Sequence, residues 1–223
     1  MKKGLKFGIL ALVMLIGTSG ALEATVEFRF GIQGGFSLTN HWSTKEKSGN
    51  YTVESSIKDG FAAGGLATVR ISNLFSLEGD VLFVKKGSNQ TITVPGFPYG
   101  PIEVTYHLNY VEIPFLLRTH LFPKAKIQPT LAVGPYVAFL TSKKYVYQII
   151  VVGTQEKEIE GIKSTDYGIA FGTGLEIPAN IIHLRIDYRY SMGFVDLKLP
   201  TGPGFPEIEL RNYCHSLMFG LVF

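Results

Sequence analysis

Two carboxylates on one face of a strand, Glu78 and Asp80, have a spacing that suits general acid/base chemistry. Arg70, in the neighbouring segment, makes a salt bridge the stronger reading. His215 beside Ser216 supplies a base and a nucleophile, but adjacent strand residues point to opposite faces, and no acid accompanies His215 on its own strand. Gly168 to Gly174 has the glycine density of a phosphate loop without the following helix that would present free N–H groups. The five His, at 41, 107, 120, 183 and 215, lack metal-ligand spacing, and the lone Cys214 reads as a packing residue. No catalytic, cofactor-binding or metal site is therefore expected.

The elements holding these residues alternate with period 2. Even positions over 26–38 are Val, Phe, Phe, Ile, Gly, Phe and Leu, and the odd positions between them are polar or glycine. The closing stretch 212–223 repeats the pattern, and six further segments alternate at about 60–72, 74–86, 104–119, 128–141, 165–177 and 181–191. Before them, Lys2, Lys3 and Lys6 precede an apolar run and then small residues, the order of a signal peptide over 1–21, with cleavage after Ala24 as the alternative. Those three lysines account for the whole excess of 21 bases over 18 acids. The mature chain is neutral, which argues against a nucleic-acid partner.

Mean hydropathy is +0.20, yet no run of 18 apolar residues occurs, which excludes a helical span. The connections between the eight strands alternate between short turns and stretches of roughly 17–24 residues, at 40–59, 87–103, 142–164 and 192–210. The sequence thus predicts a domain over 25–223 that is all-β: an eight-stranded antiparallel up-and-down transmembrane β-barrel in the bacterial outer membrane, with long loops outside. A soluble barrel would put its apolar face inward. Size decides against that, because Phe28, Phe30, Phe36, Phe83, Phe115, Phe139, Phe171, Tyr188, Tyr190 and Phe219 are too bulky for so narrow an interior, whereas Gly, Ala, Ser and Thr on the other face fit it.

Parity then places a set of charges in the lumen: Glu27, Glu78, Asp80, Glu112, Asp166, Glu176 and Asp187 against Arg29, Arg70, Arg118, Arg185 and Arg189. Arginine suits multidentate carboxylate pairing, so a salt-bridge network closing the lumen is expected, with His183 joining it near the periplasmic end. Loops two and four share a PGFP string, from Pro95 and from Pro203, and loop three has an apolar stretch before TQEKE, expected as a polar tip. These read as protruding hairpins that either add a partner's strand or shield the mouth. Lysines gather at the outer strand ends, and Lys85, Lys86, Lys143 and Lys144 are expected to contact lipopolysaccharide phosphates, against the alternative of solvated loop charge. The expected partners are outer-membrane lipid and an extracellular or periplasmic protein, for a chain that works as a monomer.

Several strings resemble the PorT-like outer-membrane β-barrel family: YVEIPFLLR at 110–118, LAVGPYVAF at 131–139, GIAFGTGLEI from Gly168, RIDYRYSMGF from Arg185 and the closing RN…FGLVF. The resemblance implies an outer-membrane barrel and little about activity. The roles left open are a structural or surface-interaction protein, a narrow channel or secretion-accessory barrel, and an enzyme acting on lipid A.

Overall fold

The computed structural model describes residues 26–43, 52–96, 98, 100–149, 153–199 and 208–223. The segment expected as a signal peptide and the second PGFP string lie outside these residues. Among the described residues twelve strands follow in order: β1 (Glu27–Ser43), β2 (Thr52–Ser56), β3 (Lys58–Arg70), β4 (Phe75–Lys86), β5 (Asn89–Thr93), β6 (Ile102–His120), β7 (Gln128–Ile149), β8 (Gly153–Glu158), β9 (Thr165–Ala179), β10 (Ile182–Gly193), β11 (Leu197–Leu199) and β12 (Ile208–Val222). Eight of them, β1, β3, β4, β6, β7, β9, β10 and β12, pair antiparallel in that order, and β12 returns to β1 to close the ring. Reciprocal bonds between Phe30 and Phe223, at 3.2 and 2.7 Å, tie the last residue into that seam.

One end of the barrel has tight connections. Asn180 adopts φ 57° in the two-residue turn from β9 to β10, a backbone position that Asn tolerates better than most residues. At the other end the wall continues: β2 pairs with β5, β5 with β6, β8 with β7, and β11 with β12. β6 and β7 run for 19 and 22 residues, about twice what a membrane crossing needs. Gly87, at φ 142° between β4 and β5, lies where any Cβ would run into the Tyr106 carbonyl. The residues 154–158, expected as a tip, are instead the returning strand β8, because their polar side chains can all stay in water while the backbone pairs with β7.

Alternation sends the two faces into different environments. Phe28, Phe36 and Phe115 are 67%, 74% and 59% exposed, whereas Glu78, Arg118 and Arg189 are buried. Water would not tolerate such an outer surface, and hydrocarbon does. Along β6 the outward residues are apolar from Leu117 up to Val111 and turn polar at Asn109, His107, Thr105 and Glu103. At the same level β7 has a bulge: Asn109 faces Ser142 while Tyr110 faces Leu140. The extra residue changes parity, so Ala138 below it and Tyr145 and Tyr147 above it all point inward. Above the bulge the inward side chains of β5, β6, β7, β11 and β12 form an apolar core that includes Ile92, Val104, Tyr106, Tyr147, Leu197 and Leu210.

Candidate functional site

The lumen is the region where chemistry-bearing side chains converge, and it is layered. Glu78 is at the centre of the membrane-embedded layer because β4 places even residues inward. Arg118 donates Nε to its Oε2 and Nη2 to its Oε1, both at 3.0 Å. Arg185 Nη1 donates to Oε2 at 2.6 Å, and Arg189 Nη2 to Oε1 at 3.2 Å. The guanidiniums are shared outward. Arg118 also donates to Asp187 at 2.9 and 2.7 Å and to Thr130 at 2.8 Å, and Arg189 to Asp80 at 2.7 Å. Arg185 reaches Glu176 at 3.2 Å, and Glu176 in turn lies 2.8 Å from His183 Nδ1 and 3.5 Å from Arg29 Nη1. Glycine on β9 makes room: a Cβ on Gly174 would collide with the Asp187 carboxylate.

Of the other charges assigned to the lumen, Glu27 accepts two bonds from Arg29 at the end of the barrel with the tight turns, both at 2.8 Å. Arg70 donates to the Ser72 and Asn73 carbonyls of its own turn, at 3.4 and 3.0 Å, so the partners of Glu78 and Asp80 are Arg118, Arg185 and Arg189 rather than Arg70. Glu112 and Asp166 belong to a second polar layer higher up, separated from the first by Ala62, Leu82, Val84, Cys214 and Met218. There Lys86 Nζ lies 2.5 Å from Glu112 and over the rings of Tyr110 and Tyr136, at 5.3 and 4.9 Å. Asp166 accepts from Asn212 at 3.0 Å, and His41 bridges Asn212 and Ser88 at 2.9 and 2.6 Å.

Lys86 corrects the expected lysine rim. It is 1% exposed and ion-paired inside the barrel, because it shares the even parity of Glu78 and Asp80 and a buried Glu112 faces it. Lys85, one residue earlier, points outward with its ammonium 4.8 Å from the Phe61 ring. Lys143 and Lys144 are 3.6 Å from Glu158 and 2.6 Å from Glu156 across the β7–β8 pair. Lys144 and Glu156, outside the membrane, stabilise each other's charged forms through their hydrogen bond, which raises the lysine pKa and lowers that of the carboxyl. His215 and Ser216 point to opposite faces: His215 Nδ1 is 2.6 Å from the Tyr188 hydroxyl, and Ser216 Oγ is 3.4 Å from Cys214 Sγ inside.

An apolar exterior, a paired and buried charged interior, and a closed antiparallel wall together define a protein of the lipid bilayer. Residues 22–199 match the family described as outer membrane protein beta-barrel domain. The chain belongs to that family. This barrel therefore resides in the bacterial outer membrane. A comparison with curated proteins finds no match by sequence. Among solved structures, it is similar to the outer membrane protein OprG from Pseudomonas aeruginosa, with 12% identity, a TM-score of 0.47 and coverage of 91% of this chain and 99% of that one. The Neisserial surface protein A (NspA) is similar at 14% identity and a TM-score of 0.47, covering 86% and 95%. The outer membrane protease OmpT from Escherichia coli is similar at 9% and 0.45, covering 92% and 99%.

Proposed function

We propose that this outer-membrane barrel is a non-enzymatic structural or surface-interaction protein of the PorT-like type, working as a monomer whose lumen admits no solute. The observation that supports this best is Glu78: three guanidiniums converge on one buried carboxylate, Arg118 from the neighbouring β6 and Arg185 and Arg189 from β10 on the opposite side of the ring. Moving any of them to open a path leaves an uncompensated buried charge. Above, the apolar core of the wall extension provides a second seal of opposite chemistry. Outside the membrane, β2 and β8 present exposed edge residues, the form in which a partner's strand is added. On the outward rim, Lys85 and Lys144 are the lysines that would meet glycolipid phosphates, whereas Lys143 is paired with the inward Leu108.

Purified barrel in planar bilayers is expected to show no conductance above baseline. Steady unitary currents would replace this reading with that of a narrow channel or a secretion-accessory barrel. Turnover of a lipid A substrate would replace it with that of an enzyme.

A further inference from the structure

The outward flank formed by β1, β12 and β10 differs from the rest of the lipid-facing wall. Trp42, Tyr190, Met192 and Tyr213 line an outward-opening concavity of about 300 Å³. Strand register assembles it: Trp42 is opposite Arg211, Tyr213 opposite Met192, and Tyr190 opposite His215. Up the outward face of β12 the residues are Phe219, Leu217, His215, Tyr213, Arg211 and Glu209, so hydrocarbon gives way to charge at the level of the concavity. That level is the head-group zone of the outer leaflet, where aromatic side chains with one wet edge are most favourable.

Two polar arrangements frame the aromatic rings. The Arg211 guanidinium stands 5.8 Å from the Trp42 ring centre and donates Nε and Nη2 to Asp196 at 2.8 and 3.2 Å, in a pair 30% and 38% exposed. Below, the bond between Tyr188 and His215 fixes an imidazole whose ring centre is 4.8 Å from that of Tyr190. An acyl chain gains nothing from an arginine–aspartate pair, and a phosphate placed there meets the Asp196 carboxylate. A sugar ring uses every part. Its C–H faces lie on aromatic faces, and its hydroxyls act as both donor and acceptor toward a guanidinium and a carboxylate.

We propose that this concavity seats a sugar ring of the outer leaflet's glycolipid. The proposal deepens the surface-interaction reading and rests on it. It concerns the flank of β1, β12 and β10, whereas Lys85, Lys143 and Lys144 lie on β4 and β7.

Trp42 is the only tryptophan in the chain, so its fluorescence reports on this site alone. Barrel refolded in detergent is titrated with the deacylated head-group saccharide of the glycolipid and, in parallel, with inorganic phosphate and with phosphatidylglycerol. The saccharide is expected to give a saturable change in Trp42 emission that neither of the others reproduces. Tyr213→Ala and the exposed-pair variant Asp196→Asn should each weaken it at least tenfold, Tyr213→Phe should retain it, and Phe28→Ala at the far end of the wall should leave it unaltered. Heat-dependent gel mobility verifies that each variant is folded, and Asp196→Asn serves if Tyr213→Ala is not. A silent Trp42, a response to phosphate or to phosphatidylglycerol alone, or full binding by Asp196→Asn overturns the proposal. Bilayer conductance tests the parent reading separately, so a silent Trp42 in a non-conducting barrel counts against the sugar site only.

Discussion

Inside the membrane this barrel has charge at its centre, and above the membrane the same strands have an apolar centre. On β6 the inward residues pass from Arg118 and Glu112 to Leu108, Tyr106 and Val104, while the outward ones pass from Phe115 to Asn109 and Glu103. Apart from the bulge in β7, β6 and β7 stay paired antiparallel on both sides of this transition. What changes is the solvent around them: lipid takes the apolar face below, and water leaves it nowhere to go but inward above. One polypeptide thus shows that inside and outside have no fixed chemistry, only a relation to the surrounding medium.

The sharpest way to break the charged half is Glu78→Leu. It leaves Arg118, Arg185 and Arg189 around an apolar side chain and should cost roughly 3–5 kcal/mol, measured by urea unfolding in lipid vesicles. A loss under about 1 kcal/mol would mean that the other carboxylates suffice. The apolar half should fail differently. Leu197→Ala, at a fully buried position of β11, should cost about 2–3 kcal/mol, expressed locally: protease should cut the wall extension while heat-dependent gel mobility still shows an intact barrel. Simultaneous loss of both would show that the two halves fold as one unit. The smallest effect is expected at the surface. Lys144→Gln should leave the unfolding midpoint unaltered at neutral pH. In the unaltered chain the Glu156 carboxyl has a lowered pKa, so its attraction to Lys144 is present above the ordinary carboxylate range and disappears as pH falls through the lowered value. Hydrogen exchange at the β7–β8 pair should accordingly quicken only in acid, and salt should weaken whatever is left.

Period-2 parity made most of the wall readable in the sequence, because each strand needs one apolar and one polar or small face whatever its neighbours are. The inward placement of Glu78, Asp80, Arg118 and Arg185 follows from that rule alone. Lys86 was readable too, since it shares parity with Asp80; its tandem with Lys85 disguised it as part of a rim. Partner choice across the lumen was not readable. It depends on relative strand shifts, which bring Arg118 and Arg189 rather than the near neighbour Arg70 to Glu78. The bulge at Thr141 left no mark in the pattern, because Leu140, Thr141 and Ser142 suit either face. The strand formed by residues 154–158 has no apolar face to announce it.

The seam between β1 and β12 also governs how the protein is made. Gly31 pairs with Val222, and Phe30 bonds to Phe223, so the wall is completed by pairing its first strand with its last. Until they meet, two full rows of backbone amides and carbonyls have no partner, a state that hydrocarbon does not accept. Closure of so long a loop comes late. Entry into the bilayer and zipping of the first strand to the last must therefore be one event, and a chain that loses its C-terminal strand should stall in the periplasm as prey for proteases.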